Sequence, residues 1–174
     1  DAKAVEEVVF GADGVAKAAG SGKVLVDHAS IRPDKTRDFA QRLKLANGME
    51  WIDAPVSGGV KGAGEGTLAI MCGGDPAAFE RAKPVLAAYG ANINLMGPSG
   101  AGQVTKLCNQ VIVGSNIAVL AEAIRLAQNA GVDARLLPRA LAGGFADSKP
   151  LQIFVPRMID RPAESIGAAN TMLK

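Results

Sequence analysis

Apolar positions in the first part of the chain fall in short runs between polar or glycine-rich breaks. Farther on they merge into one long helical pattern. Lys3 to Phe10 reads as the end of a helix closed by Gly11. Val24 to Asp27, entered through Gly22-Lys23, is a short apolar run between turn signals and predicts a buried strand. A helix should start at Ser30-Ile31-Arg32-Pro33 and run to about Ala46, stopped by Asn47-Gly48. Met49 to Ala54 predicts a second strand ended by Pro55, and Val56 to Gly66 a glycine-rich loop. Thr67 to Cys72 predicts a third strand, closed by Gly73-Gly74. Asp75-Pro76 is an N-cap followed by proline at the first helical position, opening a helix to about Tyr89. Ala91 to Met96 predicts a fourth strand. The alternation predicts an α/β arrangement with an open, largely parallel sheet.

Beyond Gly97 the pattern changes. From Gly102 to Ala130 only Gly114 interrupts helical periodicity. A helix of that length spans roughly 40 Å at 1.5 Å per residue and suits a spine between two domains. Shorter helices are expected over Ala134 to Leu141 and about Ser148 to Ile159, with no strand after Met96. The predicted organisation is an α/β part over residues 1–98 and an all-α part over residues 99–174. The chain opens inside a helix and ends at Lys174 without a terminal cap, and four strands without an opening βαβ unit make a poor core alone. It is therefore expected to be an internal segment of a longer protein.

Composition narrows the function classes. Nineteen Lys+Arg against seventeen Asp+Glu give a net charge of +2, which offers no basic field for nucleic acid. The apolar runs read as too short and broken for a membrane span, and the acidic opening residues do not form a signal peptide. Together these predict a cytoplasmic protein. Cys72 and Cys108 cannot staple a domain of this size, and with His28 as the single histidine a Cys/His metal cage is excluded.

Three glycine-rich stretches differ in promise. Gly20-Ser21-Gly22 precedes a strand and is a turn. Gly97 to Gly102 has phosphate-loop spacing, but Gln103 stands where that motif needs lysine. Ser57-Gly58-Gly59 follows a strand end, where backbone N–H groups and the Ser57 hydroxyl could close on an anion; a plain flexible turn explains it equally well. On the long helix, Lys106, Asn109 and Gln110 stand at i, i+3 and i+4, and Gln103 extends that face one turn earlier. A lone helical lysine is usually a solvated surface group. Here Gly100-Ala101-Gly102 permits close approach, and a lysine desolvated in an interdomain crease can act as acid or base. Asp53 is expected to tie down the loop that follows it. His28 has no evident partner, Ser30 could cap the helix at Pro33 or touch a cofactor, and Cys108 should be core with Val104, Val111 and Ile112.

Asp53-Ala-Pro-Val-Ser-Gly-Gly59, Gly66-Thr-Leu68, Gly73-Gly74-Asp75 and Gly100-Ala-Gly-Gln-Val-Thr-Lys-Leu-Cys-Asn109, in that order, resemble the β-hydroxyacid dehydrogenase family. The resemblance runs through essentially the whole chain. It implies the C-terminal part of a Rossmann-like domain, lacking its glycine-rich pyrophosphate loop, followed by the start of an all-α domain opened by a long interdomain helix. It also implies hydride transfer between NAD or NADP and a small hydroxy or oxo acid, without a metal, in a homo-oligomer. By the same resemblance Ser57, Gly58 and Gly59 would hold the substrate carboxylate and Lys106 would be the catalytic proton carrier. Ser30 and Lys174 would meet the cofactor. The family's hydroxyisobutyrate branch has asparagine four residues after the lysine; here Gln110 stands there, with Asn109 before it. Lys-Leu-x-Asn-Gln looks more like the branch that reduces tartronate semialdehyde, and it leaves the substrate-orienting residue open between Asn109 and Gln110. The alternatives are the hydroxyisobutyrate activity, a non-catalytic binding protein on the same fold, and an inert fragment.

Overall fold

The computed structural model describes residues 1–18 and 20–160. They divide into two compact units that part within the long helix, the first ending at Cys108 and the second beginning at Asn109.

In the first unit α1 (Ala2–Phe10) precedes β1 (Val24–Asp27), α2 (Pro33–Asn47) and β2 (Glu50–Asp53). Pro33 opens α2, and Gly48 closes it at φ 74°, a left-handed turn that glycine enters without a steric penalty. The residue before the helix is Arg32, whose side chain makes no capping bond, so Ser30 does not cap it. The stretch expected to be a loop from Val56 to Gly66 contains a short strand β3 (Val56–Ser57) and one helical turn and a half, α3 (Gly59–Gly64). Then follow β4 (Leu68–Cys72), α4 (Pro76–Leu86) and β5 (Gly90–Leu95).

The strands form a two-stranded sheet, β1-β2, and a three-stranded sheet, β3-β4-β5, joined by a bridge between Asp53 and Gly73; the pairing is largely parallel, as expected, except at β3. β1 pairs with β2 and β4 with β5 in parallel, while β3 runs antiparallel to β4, with Val56 opposite Ile70 and Ser57 opposite Ala69. The reason is connection length: the link from Ser57 to Leu68 is shorter than the dozen or so residues that a parallel crossover needs. Asp53 and Gly73 exchange both backbone hydrogen bonds (3.0 and 2.8 Å), and Met71 N–H donates to Pro55 O at 3.0 Å. β2 and β3 are thus one line of chain along β4, broken where Pro55 has no N–H to offer. Alternation along β2 sends Trp51 to one face with Phe39, Leu43 and Val9, and Ile52 to the other with Ile70, Phe79 and Leu86.

Asp53 is fully buried between these layers. Its Oδ1 accepts from Gly100 N–H at 2.8 Å and its Oδ2 from Gln103 N–H at 3.0 Å. Those are free donors at the start of α5 (Ala101–Asn129). The carboxylate therefore ties down this helix, not the loop that follows β2. A side chain at Gly102 would overlap the Met71 carbonyl oxygen, so only glycine lets the helix start come this close.

In the second unit, Leu120, Ile124 and Ala127 of α5 pack with Ala134, Leu151 and Val155. The expected helix over 134–141 is a 3₁₀ turn (Ala134–Leu136) followed by α6 (Leu137–Leu141), and the last described helix is α7 (Lys149–Asp160). Asp133 and Ser148 each supply a local cap, to Arg135 N–H and Leu151 N–H. Cys108 is exposed, not core, and Val104 (46%), Val111 (68%) and Ile112 (61%) are exposed with it. α5 is apolar on more sides than the described neighbours cover. Contrary to the expectation from its broken runs, it is long and apolar enough to cross a membrane by length and composition, with a mean hydropathy of 1.5 over its best window.

Asp53→Ala strands two buried N–H donors and should lower the unfolding free energy by about 2–3 kcal/mol. Urea denaturation of the two proteins checks this; a loss under about 0.5 kcal/mol, the level of an ordinary surface substitution, would contradict it.

Candidate active site

Loops at the carboxyl ends of β1 and of the β2–β3 line converge on the first turns of α5. Ser57 ends β3, and Gly58 (φ 135°) and Gly59 (φ 63°) turn the chain into α3 in conformations that other residues rarely adopt. A side chain at Gly58 would press on Leu68 Cδ2 at 3.1 Å, whereas the space beside Gly59 is open. Ser57 is half-buried, and its hydroxyl has no hydrogen-bond partner among the described residues.

Lys106 reaches this loop. Its Nζ donates to Val56 O at 2.8 Å, which sets the ammonium one residue from Ser57. Burial pushes its pKa below the ordinary lysine value of 10.5. The pattern that put Lys106 and Gln103 on one face holds for the helix, but the two side chains differ in role. Gln103 is turned inward and is 2% exposed. Its Nε2 donates to Ala29 O at 2.7 Å and its Oε1 accepts from Ile31 N–H at 3.2 Å, one bond on each side of Ser30. Ser30 itself is half-buried, with no hydrogen-bond partner for its hydroxyl among the described residues.

His28 does have partners. Nδ1 lies 2.6 Å from Ala54 O and Nε2 lies 2.9 Å from the Tyr89 hydroxyl, and the two rings meet edge to face at 5.5 Å. A carbonyl only accepts, so Nδ1 carries the hydrogen and, in the neutral ring, Nε2 accepts from Tyr89. The β1–α2 loop is thereby pinned to the β2–β3 line. Tyr89 was not legible as a neighbour, because nothing in its spacing connects the end of α4 to the end of β1. Asn109 and Gln110 belong to the second unit, where Asn109 Nδ2 donates to Gln110 Oε1 at 3.0 Å. Lys174 lies outside the described residues. Among the described residues no cluster of three or more His, Cys, Asp or Glu could hold a metal. Two grooves lie elsewhere: one of about 460 Å³ lined by Arg37, Trp51 and Ser99, and one of about 320 Å³ lined by Leu120, Phe145 and Val155.

A family model for the NAD binding domain of 6-phosphogluconate dehydrogenase matches residues 1–97. A second, for the NAD-binding of NADP-dependent 3-hydroxyisobutyrate dehydrogenase, matches residues 100–174. The chain belongs to the β-hydroxyacid dehydrogenase family. It is 48% identical over 161 residues to the 2-hydroxy-3-oxopropionate reductase of Escherichia coli K12, covering 92% of this chain and 55% of that protein. It is 38% identical over 152 residues to a 3-hydroxyisobutyrate dehydrogenase of Pseudomonas aeruginosa, covering 87% and 51%. The crystal structure of 3-hydroxyisobutyrate dehydrogenase from Salmonella typhimurium superposes with a TM-score of 0.85 at 29% identity, covering 99% of this chain and 60% of that one. The chain spans about half the length of the curated relatives it matches. The expected fold, the end of a Rossmann-like domain followed by a helical region, is borne out. NAD or NADP is the family's cofactor. No Gly-x-Gly-x-x-Gly occurs in this sequence.

His28 is the single histidine, so its imidazole nitrogen spectrum in the labelled chain is free of overlap. The neutral ring should show Nδ1 protonated; a neutral ring protonated only at Nε2 would contradict the bond to Ala54 O.

Proposed function

We propose that the full-length protein is an NAD(P)-dependent oxidoreductase acting on a small hydroxy or oxo acid, with 2-hydroxy-3-oxopropionate as the substrate reduced. One observation carries the reading: the half-buried Lys106 ammonium sits on Val56 O, beside the open Ser57-Gly58-Gly59 loop. The reductase assignment is supported by the higher identity to the Escherichia coli enzyme and by Asn109-Gln110 in place of a second asparagine. The 3-hydroxyisobutyrate dehydrogenase reading is favoured by the superposition on the Salmonella structure. A non-catalytic binding protein has no need of a desolvated lysine at this position.

The bound dinucleotide supplies the hydride in reduction and takes it up in oxidation. Ser57 and the N–H groups at Gly58 and Gly59 hold the substrate carboxylate, leaving the carbonyl within reach of Lys106. Lys106 gives its proton to the carbonyl oxygen as the carbon is reduced, and removes the hydroxyl proton in the reverse direction. Asn109 or Gln110 orients the substrate, and Ser30 and Lys174 contact the cofactor. We place the boundary between the two domains near residue 98. We also assign α5 to the packed interior of a cytoplasmic homo-oligomer, because its sequence lies inside a matched dehydrogenase family model.

In the full-length protein Lys106→Ala should cut turnover by about 10²-fold or more, the scale of a lost general acid, measured by steady-state kinetics. Turnover within about threefold of wild type would remove Lys106 from the mechanism. Reduction needs the protonated amine. Its rate should therefore fall as pH rises through a pKa below 10.5, and oxidation should rise through the same value. Ser57→Ala should raise KM for the acid more than it lowers kcat, because the carboxylate is held alike before and during reaction. A fall in kcat at unchanged KM would place Ser57 on the reacting centre.

A further inference from the structure

We infer that Gln103 is a positioning residue for the cofactor side of the site, acting through Ser30; this rests on the proposed reading that Ser30 meets the dinucleotide. The observation is the pair of bonds its carboxamide makes. Nε2–H donates to the carbonyl of Ala29 and Oε1 accepts the N–H of Ile31, so the peptide groups on both sides of Ser30 are held by one side chain. Both partners are backbone groups of fixed polarity, one acceptor and one donor. A neutral carboxamide presents a donor and an acceptor on neighbouring atoms and so meets both. A carboxylate there would face the Ala29 oxygen with no hydrogen, and an alkyl chain would leave both groups unpaired. The side chain is 2% exposed, and its buried bonds compete with little water.

The base of the clamp is equally fixed. Gln103's own N–H is bound by Asp53 Oδ2 at 3.0 Å, and Gly100, one turn earlier, is bound by Asp53 Oδ1 at 2.8 Å. The backbone of Gln103 thus cannot shift along the helix axis without breaking a buried charge-assisted bond. Lys106 follows on the next turn and takes Val56 O. One helix start therefore places two things: through Lys106 it meets the substrate loop, and through Gln103 it sets the loop that carries Ser30. His28 braces the start of the same loop through Ala54 O. The Ser30 hydroxyl, free of partners among the described residues, is what this bracing leaves available.

The test is the dissociation constant of NADH and NADPH, read by nucleotide fluorescence in the full-length protein without turnover. Gln103→Leu and Gln103→Met should each weaken cofactor binding by about tenfold or more, the scale of two lost buried hydrogen bonds. KM for the acid should stay within about threefold of wild type. In a Ser30→Ala background Gln103→Leu should cost much less, because the clamp then has no hydroxyl to place. A merely structural role would give the same cost in both backgrounds and would overturn the inference. So would wild-type cofactor affinity in either folded Gln103 variant. If both variants fail to fold, hydrogen exchange of the Ile31 amide in the wild type decides. Protection well above that of exposed loop amides supports the clamp, and loop-like exchange overturns it. Lys106→Ala, by contrast, should leave cofactor affinity intact while cutting turnover by about 10²-fold or more. Retained turnover in that variant would defeat the proposed function without touching the Gln103 result.

Discussion

The carboxylate of Asp53 is the constraint on which the first unit depends. It is buried at the end of β2, where burial raises its pKa and the N–H groups of Gly100 and Gln103 oppose that rise. A helix start normally finds its cap in the preceding few residues. Here the cap comes from a distant strand, so the position of α5 is set by the sheet. Glycines at 73 and 102 allow the contact, since a side chain at either would overlap the Asp53 carboxylate or a neighbouring backbone oxygen.

From that anchor the rest of the candidate site follows by helix geometry. Gln103 and Lys106 lie three residues apart on α5, each meeting a different loop at the carboxyl end of a strand. The bend at Ala54-Pro55 matters as much. It lets β2 continue into β3 against β4, which offers Val56 O to Lys106 and leaves Ser57 at the edge. Crowding of Lys106 against the loop lowers its pKa, and the same contact gives the lysine one resting position.

Much of this was legible in the sequence. The four main strands and the helix start at Pro33 follow from short apolar runs and their punctuation, and the long helix from a periodicity interrupted only at Gly114. The motif order pointed to the family. What the residues could not reveal is direction and reach. The antiparallel turn of β3 depends on the short link to β4, and the partners of His28, Ala54 O and Tyr89, are distant in sequence. Helical spacing gave Gln103 and Lys106 a shared face but could not say that one turns inward to the backbone. Cys108 is exposed where its apolar stripe suggests core, because such a stripe implies burial only where neighbours cover it.

The central claim is that Asp53 fixes the start of α5 and thereby sets the environment of Lys106. It is tested most directly by the pKa of the Lys106 ammonium, measured by nuclear magnetic resonance on lysine-labelled protein, in the wild type and in Asp53→Asn. The wild-type value should lie below 10.5 and move back toward 10.5 in the variant, as the helix start loosens and Lys106 is rehydrated. A wild-type value at or above 10.5, or a lowered value unchanged by Asp53→Asn, would contradict it.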